Sequence, residues 1–207
     1  MTQTETFDAG GDANRSYLVF PGTGEEAWCV DPSFAAPLIL RRLKERGAKL
    51  THVLLTHTHG DHVATLDMLS EACAPTVWAH PVEASRIPGA RPLPGEGPMP
   101  SPPGVEVLFT PGHTPGGVCY RIGEDLFTGD TLFVDWVGRA DLPGGDARAL
   151  FASLAKLRNL PGGLRIRPGH HYGAVESRTL AEEVSANRFL ACGDFGAFLA
   201  LLPELTS

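Results

Sequence analysis

Between Leu54 and Leu66 the chain reads LLTHTHGDHVATL, with His57, His59, Asp61 and His62 crowded directly behind an apolar run. Imidazoles and a carboxylate packed this closely repel and desolvate one another, and they give up ordinary turn chemistry. A fold that keeps them together needs a compensating partner. A metal cation is the partner whose ligand preferences match these side chains. THVLLT reads as a buried strand, and the cluster starts where that strand stops. Ligands at the carboxyl ends of strands are held by a rigid sheet while their loops stay open to substrate.

The same arrangement recurs downstream. His113 in TPGHTPGG, Asp130 in LFTGDT and His170 in RPGHHYG each follow a strand-like run, as do His57, His59, Asp61 and His62 in THTHGDH. A lone histidine at a strand end is more often a hydrogen-bonded structural residue than a ligand. Five of the eight histidines in such positions speak for a joint role.

Around these segments the pattern is that of an α/β domain. SYLVF and AWCVD are short β-rich runs joined by the turn signal PGTGEE, which predicts a hairpin. A helix is expected from about Ala35 to Arg46, with Gly47 placed to end it. VATLDMLSEA has helical spacing and TVWAH returns to a strand. Pro and Gly crowd the segment from Ser85 to Gly104 and predict an irregular surface excursion. VEVLF, GVCYRI, DLFTGD and LRIRP read as further strands. A helix over Asp146 to Arg158 would put Leu150, Phe151, Leu154 and Leu157 on one face, and Thr179 with Glu182 form a capping-box signature for a helix through Leu190. Strand-then-loop units with helices between them imply sheets covered by helices. The expectation is one domain over residues 1–207 with a short helical extension from about residue 177.

Composition narrows the function. A net charge of -7 over 207 residues argues against a surface built for nucleic acid or anionic lipid. No segment approaches the roughly 20 apolar residues of a membrane span, and the first residues lack a basic, then apolar, leader, so a cytoplasmic location is expected. Cys29, Cys73, Cys119 and Cys192 form no C-x-x-C pair and read as buried, reduced thiols, with Cys119 close to the His113 segment. His52 and His80 read as satisfying backbone partners, and Trp136 as packing or a cleft wall.

The residues His57, His59, Asp61 and His62 meet the H-x-H-x-D-H signature of the metallo-β-lactamase fold hydrolases, which this chain resembles from about Asn14 to Gly173. His113, Asp130 and His170 match the later ligands of that family in order. The resemblance implies an αββα sandwich with metals at one edge. It implies one ion on His57, His59 and His113, a second on Asp61, His62 and His170, and Asp130 bridging them. The cofactors expected are two divalent ions, Zn or mixed Zn/Fe/Mn, and borderline-soft cations accept this donor set. Asp31 matches a structural Asp of the family, or is a simple turn residue.

LFTGDTLFVDWVGRADLPGGD resembles the branch that holds glyoxalase II and the persulfide dioxygenases. That resemblance implies Arg139 as a cation for a glutathione carboxylate and Tyr172 as a contact to the glutathione backbone; a surface ion pair and a packed aromatic are the alternatives. Full-length glyoxalase II carries a larger helical C-terminal domain than the stretch after Tyr172, and His171 stands where that branch commonly has Glu or Asp. Two activities are expected. One is hydrolysis of a thioester such as a hydroxyacylglutathione by metal-bound hydroxide, with Asp61 and Asp130 as the catalytic carboxylates. The other is a mononuclear Fe(II) persulfide dioxygenase using His57, His113 and Asp130. The expected partner is a small-molecule thiol conjugate, without nucleic acid or membrane, and a homodimer is left open.

Overall fold

The computed structural model describes residues 2–22 and 24–205. Two sheets face each other. The first runs in chain order from β1 (Gln3–Gly10) through β2 (Asn14–Phe20), β3 (Glu26–Val30), β4 (Lys49–Leu54) and β5 (Thr76–Ala79) to β6 (Arg91–Pro92). The second is built from β7 (Gly97–Pro98), β8 (Val105–Phe109), β9 (Val118–Ile122), β10 (Asp125–Gly129) and β11 (Arg165–Pro168), in spatial order 11-10-9-8-7. β2 and β3 pair antiparallel as the hairpin expected, and β4 joins β3 in parallel through α1 (Ala36–Arg46). Gly47 ends that helix in the left-handed region at φ 63°, its N–H returning to the carbonyls of Leu43 and Lys44.

Side-chain alternation makes the layers. Successive residues of a strand point to opposite faces. Leu18 and Phe20 of β2 and Ala27 and Cys29 of β3 join an outer cluster with Ile39 and Leu43 of α1 and Leu66 and Leu69 of α3 (Leu66–Cys73). Their neighbours Tyr17, Val19, Trp28 and Val30 meet Val105, Val107, Val118, Tyr120 and Phe127 between the sheets. The far face of the second sheet, with Cys119, Leu126 and Ile166, is covered by α5 (Ala147–Arg158), α6 (Leu180–Ala186) and α7 (Phe195–Leu201). The result is the αββα sandwich of the metallo-β-lactamase type.

Several sequence expectations need correction. β1 went unread because QTETFD is mostly polar; it lies at the sheet's edge and pairs with a strand whose seven residues are all buried. The segment from Ser85 to Gly104 is not wholly irregular, since β6 and β7 add a two-residue edge to each sheet. Proline is tolerated at an edge, where its missing N–H costs no ladder bond. The helix opened by the Thr179–Glu182 capping box stops at Ala186, not Leu190, because the Asn187 amide oxygen takes the N–H groups of Phe189 and Leu190. α7 also went unread. Cys73 and Cys192 are only half-buried, and Phe151 is half-buried against the rings of Phe195 and Phe198. His80 accepts from the backbone of Val82 as expected, whereas His52 accepts from the Trp78 indole, a side-chain partner.

Asp146 caps α5 by accepting from the N–H groups of Arg148 and Ala149, which sets Leu150, Leu154 and Leu157 against the sheet. Leu154 is 2% exposed, so Leu154→Ala is expected to cost about 2–5 kcal/mol in urea unfolding. A loss well under 1 kcal/mol would show that this layer is not packed as described.

Candidate metal centre

Four strand ends deliver the polar residues to one place. β4 runs into the loop with His57 and His59, and the single turn α2 (Gly60–Val63) carries Asp61 and His62. His113 follows β8, Asp130 follows β10 and His170 follows β11. Two buried tyrosines cross between the sheets to fix these ends. Tyr17 donates to the Pro168 carbonyl at 2.6 Å, two residues before His170. Tyr120 donates to the Leu55 carbonyl at 2.8 Å, two residues before His57.

Two sets of three side chains converge closely enough to share a cation, His57–His59–His113 and Asp61–His62–His170. Asp130 lies between them. Its Oδ2 is 3.4 Å from His113 Nε2, 3.4 Å from His170 Nε2 and 3.9 Å from His57 Nε2, and its Oδ1 is 3.2 Å from His62 Nε2. Within each set, ring nitrogens face one another: His59 Nδ1 and His113 Nε2 at 2.9 Å in the first, His62 Nε2 and His170 Nε2 at 3.2 Å in the second.

Four of the imidazoles have one nitrogen engaged behind the centre and the other turned toward it. His113 Nδ1 donates to the Arg139 carbonyl at 2.8 Å and His170 Nδ1 to the Asp12 carbonyl at 2.7 Å. His62 Nδ1 is 3.0 Å from Asp31 Oδ2, and His57 Nδ1 is 3.1 Å from the Thr56 hydroxyl. Such partners select the tautomer and ring orientation that a metal-binding histidine requires. Asp31 also clusters with His57 and His62. Its oxygens, however, already take Thr56 N, the Thr56 hydroxyl and His62 Nδ1, so it orients His62 from behind.

The charge state fits a cation. Burial, reinforced by the neighbouring His62, holds His57 well below the usual histidine range, which leaves a neutral ring. The His57 Nε2 and Asp130 Oδ1 atoms are buried without an aligned hydrogen-bond partner, a costly arrangement unless a cation meets them. Burial opposes a charge on His62, but Asp130 and Asp31 outweigh it and hold the imidazole well above its usual value. His170 is likewise pushed up to about 10, hydrogen bonds to Asp130 and Asp61 prevailing over burial. Asp130 sits well below the carboxylate range: burial opposes ionisation, and His62 with His170 overcome it. Protons on His62 and His170 thus balance Asp130 and Asp61, and a cation that takes those nitrogens releases them.

The cleft over this centre, about 560 Å³, is bounded by Phe133, Trp136, Val137 and Leu142 on its apolar side. Arg139 and Tyr172 both line it. Arg139 is at the same time in a surface pair with Asp141, and Tyr172 stacks on the His170 ring at 14° and 5.0 Å. Cys119 is apart from the chemistry: it is buried against Thr110, and burial pushes its thiol up to about 11.

Sequence reasoning missed three supporting residues. Asn14, buried at the start of β2, donates to Asp61 Oδ2 at 2.8 Å. Asp12 supplies the carbonyl that holds His170. Glu83 is fully buried and accepts from the hydroxyl of Thr58, between His57 and His59. Nothing local marks Asn14 or Asp12 beyond the turn signal GGDAN, and PVEAS gives Glu83 no distinguishing pattern. His171, the next residue after His170, turns away to Arg15 at 2.7 Å.

An αββα sandwich with two histidine-rich candidate ligand sets on either side of one aspartate defines the metallo-β-lactamase class of fold, with a candidate metal centre at its edge. The model of the metallo-beta-lactamase superfamily matches residues 7–170. The chain is 45% identical over 138 residues to a hydroxyacylglutathione hydrolase of Rhizobium meliloti, covering 65% of this chain but only 53% of that protein. The chain therefore spans about half the length of that relative. Among solved structures, ETHE1 from Myxococcus xanthus superposes with a TM-score of 0.87 at 29% identity, over 99% of this chain and 92% of that one. TTHA1623 in a di-iron-bound form gives 0.78 at 36% identity, over 89% and 99%. This chain belongs to the metallo-beta-lactamase superfamily, in its glyoxalase II and persulfide dioxygenase branch. No helix among the described residues is long and apolar enough to cross a membrane.

Proposed function

We propose that the chain is a metal-dependent thioester hydrolase, a hydroxyacylglutathione being the type of substrate indicated by the Rhizobium meliloti relative. The observation that carries this reading is the placement of Asp130 between two complete ligand sets. In it His57, His59 and His113 would hold one divalent ion and Asp61, His62 and His170 a second, with Asp130 available to both. The di-iron form of TTHA1623 supports a paired site. Bound there, divalent ions polarise an acyl carbonyl and lower the pKa of water toward about 7.

The protein's own groups do the rest. The Asp130 carboxylate, within 3.2–3.4 Å of His62, His113 and His170, would offset repulsion between two like charges held there. Asn14 holds Asp61 in place, and the carbonyls of Asp12 and Arg139 keep His170 and His113 turned inward. The apolar wall of Phe133, Trp136, Val137 and Leu142 sheds water from the cleft, which strengthens every electrostatic contact inside it. The segment from about residue 177 serves as a helical extension of the same domain.

The ETHE1 likeness supports a second reading, in which His57, His113 and Asp130 alone hold Fe(II) and the substrate is glutathione persulfide. Metal analysis combined with the double variant Asp61→Ala/His170→Ala separates the two. The hydrolase reading expects two equivalents of metal in the native protein, S-lactoylglutathione turnover, and loss of both one metal and at least about 10²-fold activity in the variant. A single iron with persulfide-dependent oxygen uptake, retained by the variant, would replace it with the dioxygenase.

A further inference from the structure

Both side chains expected to hold a glutathione arm are themselves held by acids. The Arg139 guanidinium makes a two-point pair with Asp141, Nε to Oδ1 at 2.9 Å and a terminal nitrogen to Oδ2 at 2.8 Å. Tyr172 gives its hydroxyl proton to Asp12 Oδ2 at 2.6 Å. Among the described residues that line the cleft, Arg139 is the only Lys or Arg, and Asp12 brings a carboxylate outside the two ligand sets. Glutathione carries two carboxylates against one ammonium, so its net negative charge meets a cation already neutralised. A guanidinium fork engaged two-point with one carboxylate has spent the geometry that best receives another. An uncharged thiol arm needs no such cation, and the apolar wall receives it as readily.

We propose that Asp141 is a specificity-determining residue: by occupying Arg139 it turns the cleft toward thioesters whose thiol arm carries no net charge and away from the anionic glutathione arm. The substrate side of this inference rests on the hydrolase reading above; the binding side does not. Arg139 and Asp141 are about half exposed, with side-chain exposures of 46% and 52%, so the bias is modest. An exposed pair of this kind corresponds to a change of about 2- to 5-fold in affinity.

The test compares the wild type with Asp141→Asn and Asp141→Glu. Kinetics are run with S-lactoylglutathione and S-lactoyl-N-acetylcysteamine, which share the acyl group and differ in the thiol arm. Calorimetry measures binding of S-methylglutathione, which has no thiolate to coordinate a metal. Asp141→Asn is expected to lower the ratio of KM for the glutathione thioester to KM for the neutral one by about 2- to 5-fold and to tighten S-methylglutathione binding by a similar factor. Asp141→Glu, which keeps the acid, is expected to stay near the wild-type ratio. An unchanged ratio and unchanged calorimetric affinity in Asp141→Asn would overturn the inference, as would an equal shift in Asp141→Glu. If the wild type turns over neither thioester, the hydrolase reading fails, and the calorimetric comparison alone decides whether Asp141 governs the anionic arm.

Discussion

Asp130→Asn is expected to lower kcat/KM for thioester hydrolysis by about 10³-fold or more while the protein remains folded. The amide has the shape of the carboxylate, so the packing around it is preserved. What it lacks is the charge that faces His62, His113 and His170 within 3.2–3.4 Å. Without that charge the two ligand sets have no common anion, and His62 and His170 lose the carboxylate that holds their imidazoles above the usual range. Steady-state kinetics, with metal content measured on the same preparation and circular dichroism as the folding control, provide the check. Activity within about 10-fold of wild type at full metal loading would remove Asp130 from the chemistry.

The second large effect falls on stability. Asp31→Ala is expected to cost about 3 kcal/mol or more, because it strips the acceptor from Thr56 N, the Thr56 hydroxyl and His62 Nδ1 at once in a fully enclosed site. For a chain of this size that corresponds to a fall of roughly 6–12 °C in Tm. Asp31 also sits at φ 46°, a left-handed conformation that Asp and Asn tolerate better than most residues. Asp31→Asn keeps that tolerance and an acceptor for Thr56 N, so it separates backbone fit from charge. It is expected to unfold at a temperature between wild type and Asp31→Ala. Equal losses in the two variants would assign the effect to the carboxylate charge, and no loss in either would mean that Asp31 does not brace His62.

Much of the sandwich was readable because strand alternation and helix capping are local. β2 and β3 announce their two faces in SYLVF and AWCVD, and Gly47, Asp146 and the Thr179–Glu182 pair mark helix ends within a few residues of themselves. β1 was not readable, since an edge strand over a buried neighbour is free to be polar. The early stop of α6 was not readable either: it depends on the Asn187 amide choosing the backbone of Phe189 and Leu190 over another helical turn. At the site, each candidate ligand could be named from its segment, but the support around it could not. Asn14 reaches Asp61 across 47 positions and the Asp12 carbonyl reaches His170 across 158. The two residues assigned to a substrate were seen as donors, and only the structure shows that Asp141 and Asp12 already receive them.

By itself, then, the sequence determined the layers and the residue types at four strand ends, because side-chain period, capping and ligand chemistry are properties of neighbours along the chain. The tertiary structure decided that Asp130 lies between two ligand sets, which ring nitrogen of each histidine faces inward, and how far Arg139 and Tyr172 are free to meet a ligand. Those outcomes depend on hydrogen bonds and charge balance between segments that packing alone brings within a few ångströms, and no local pattern encodes them.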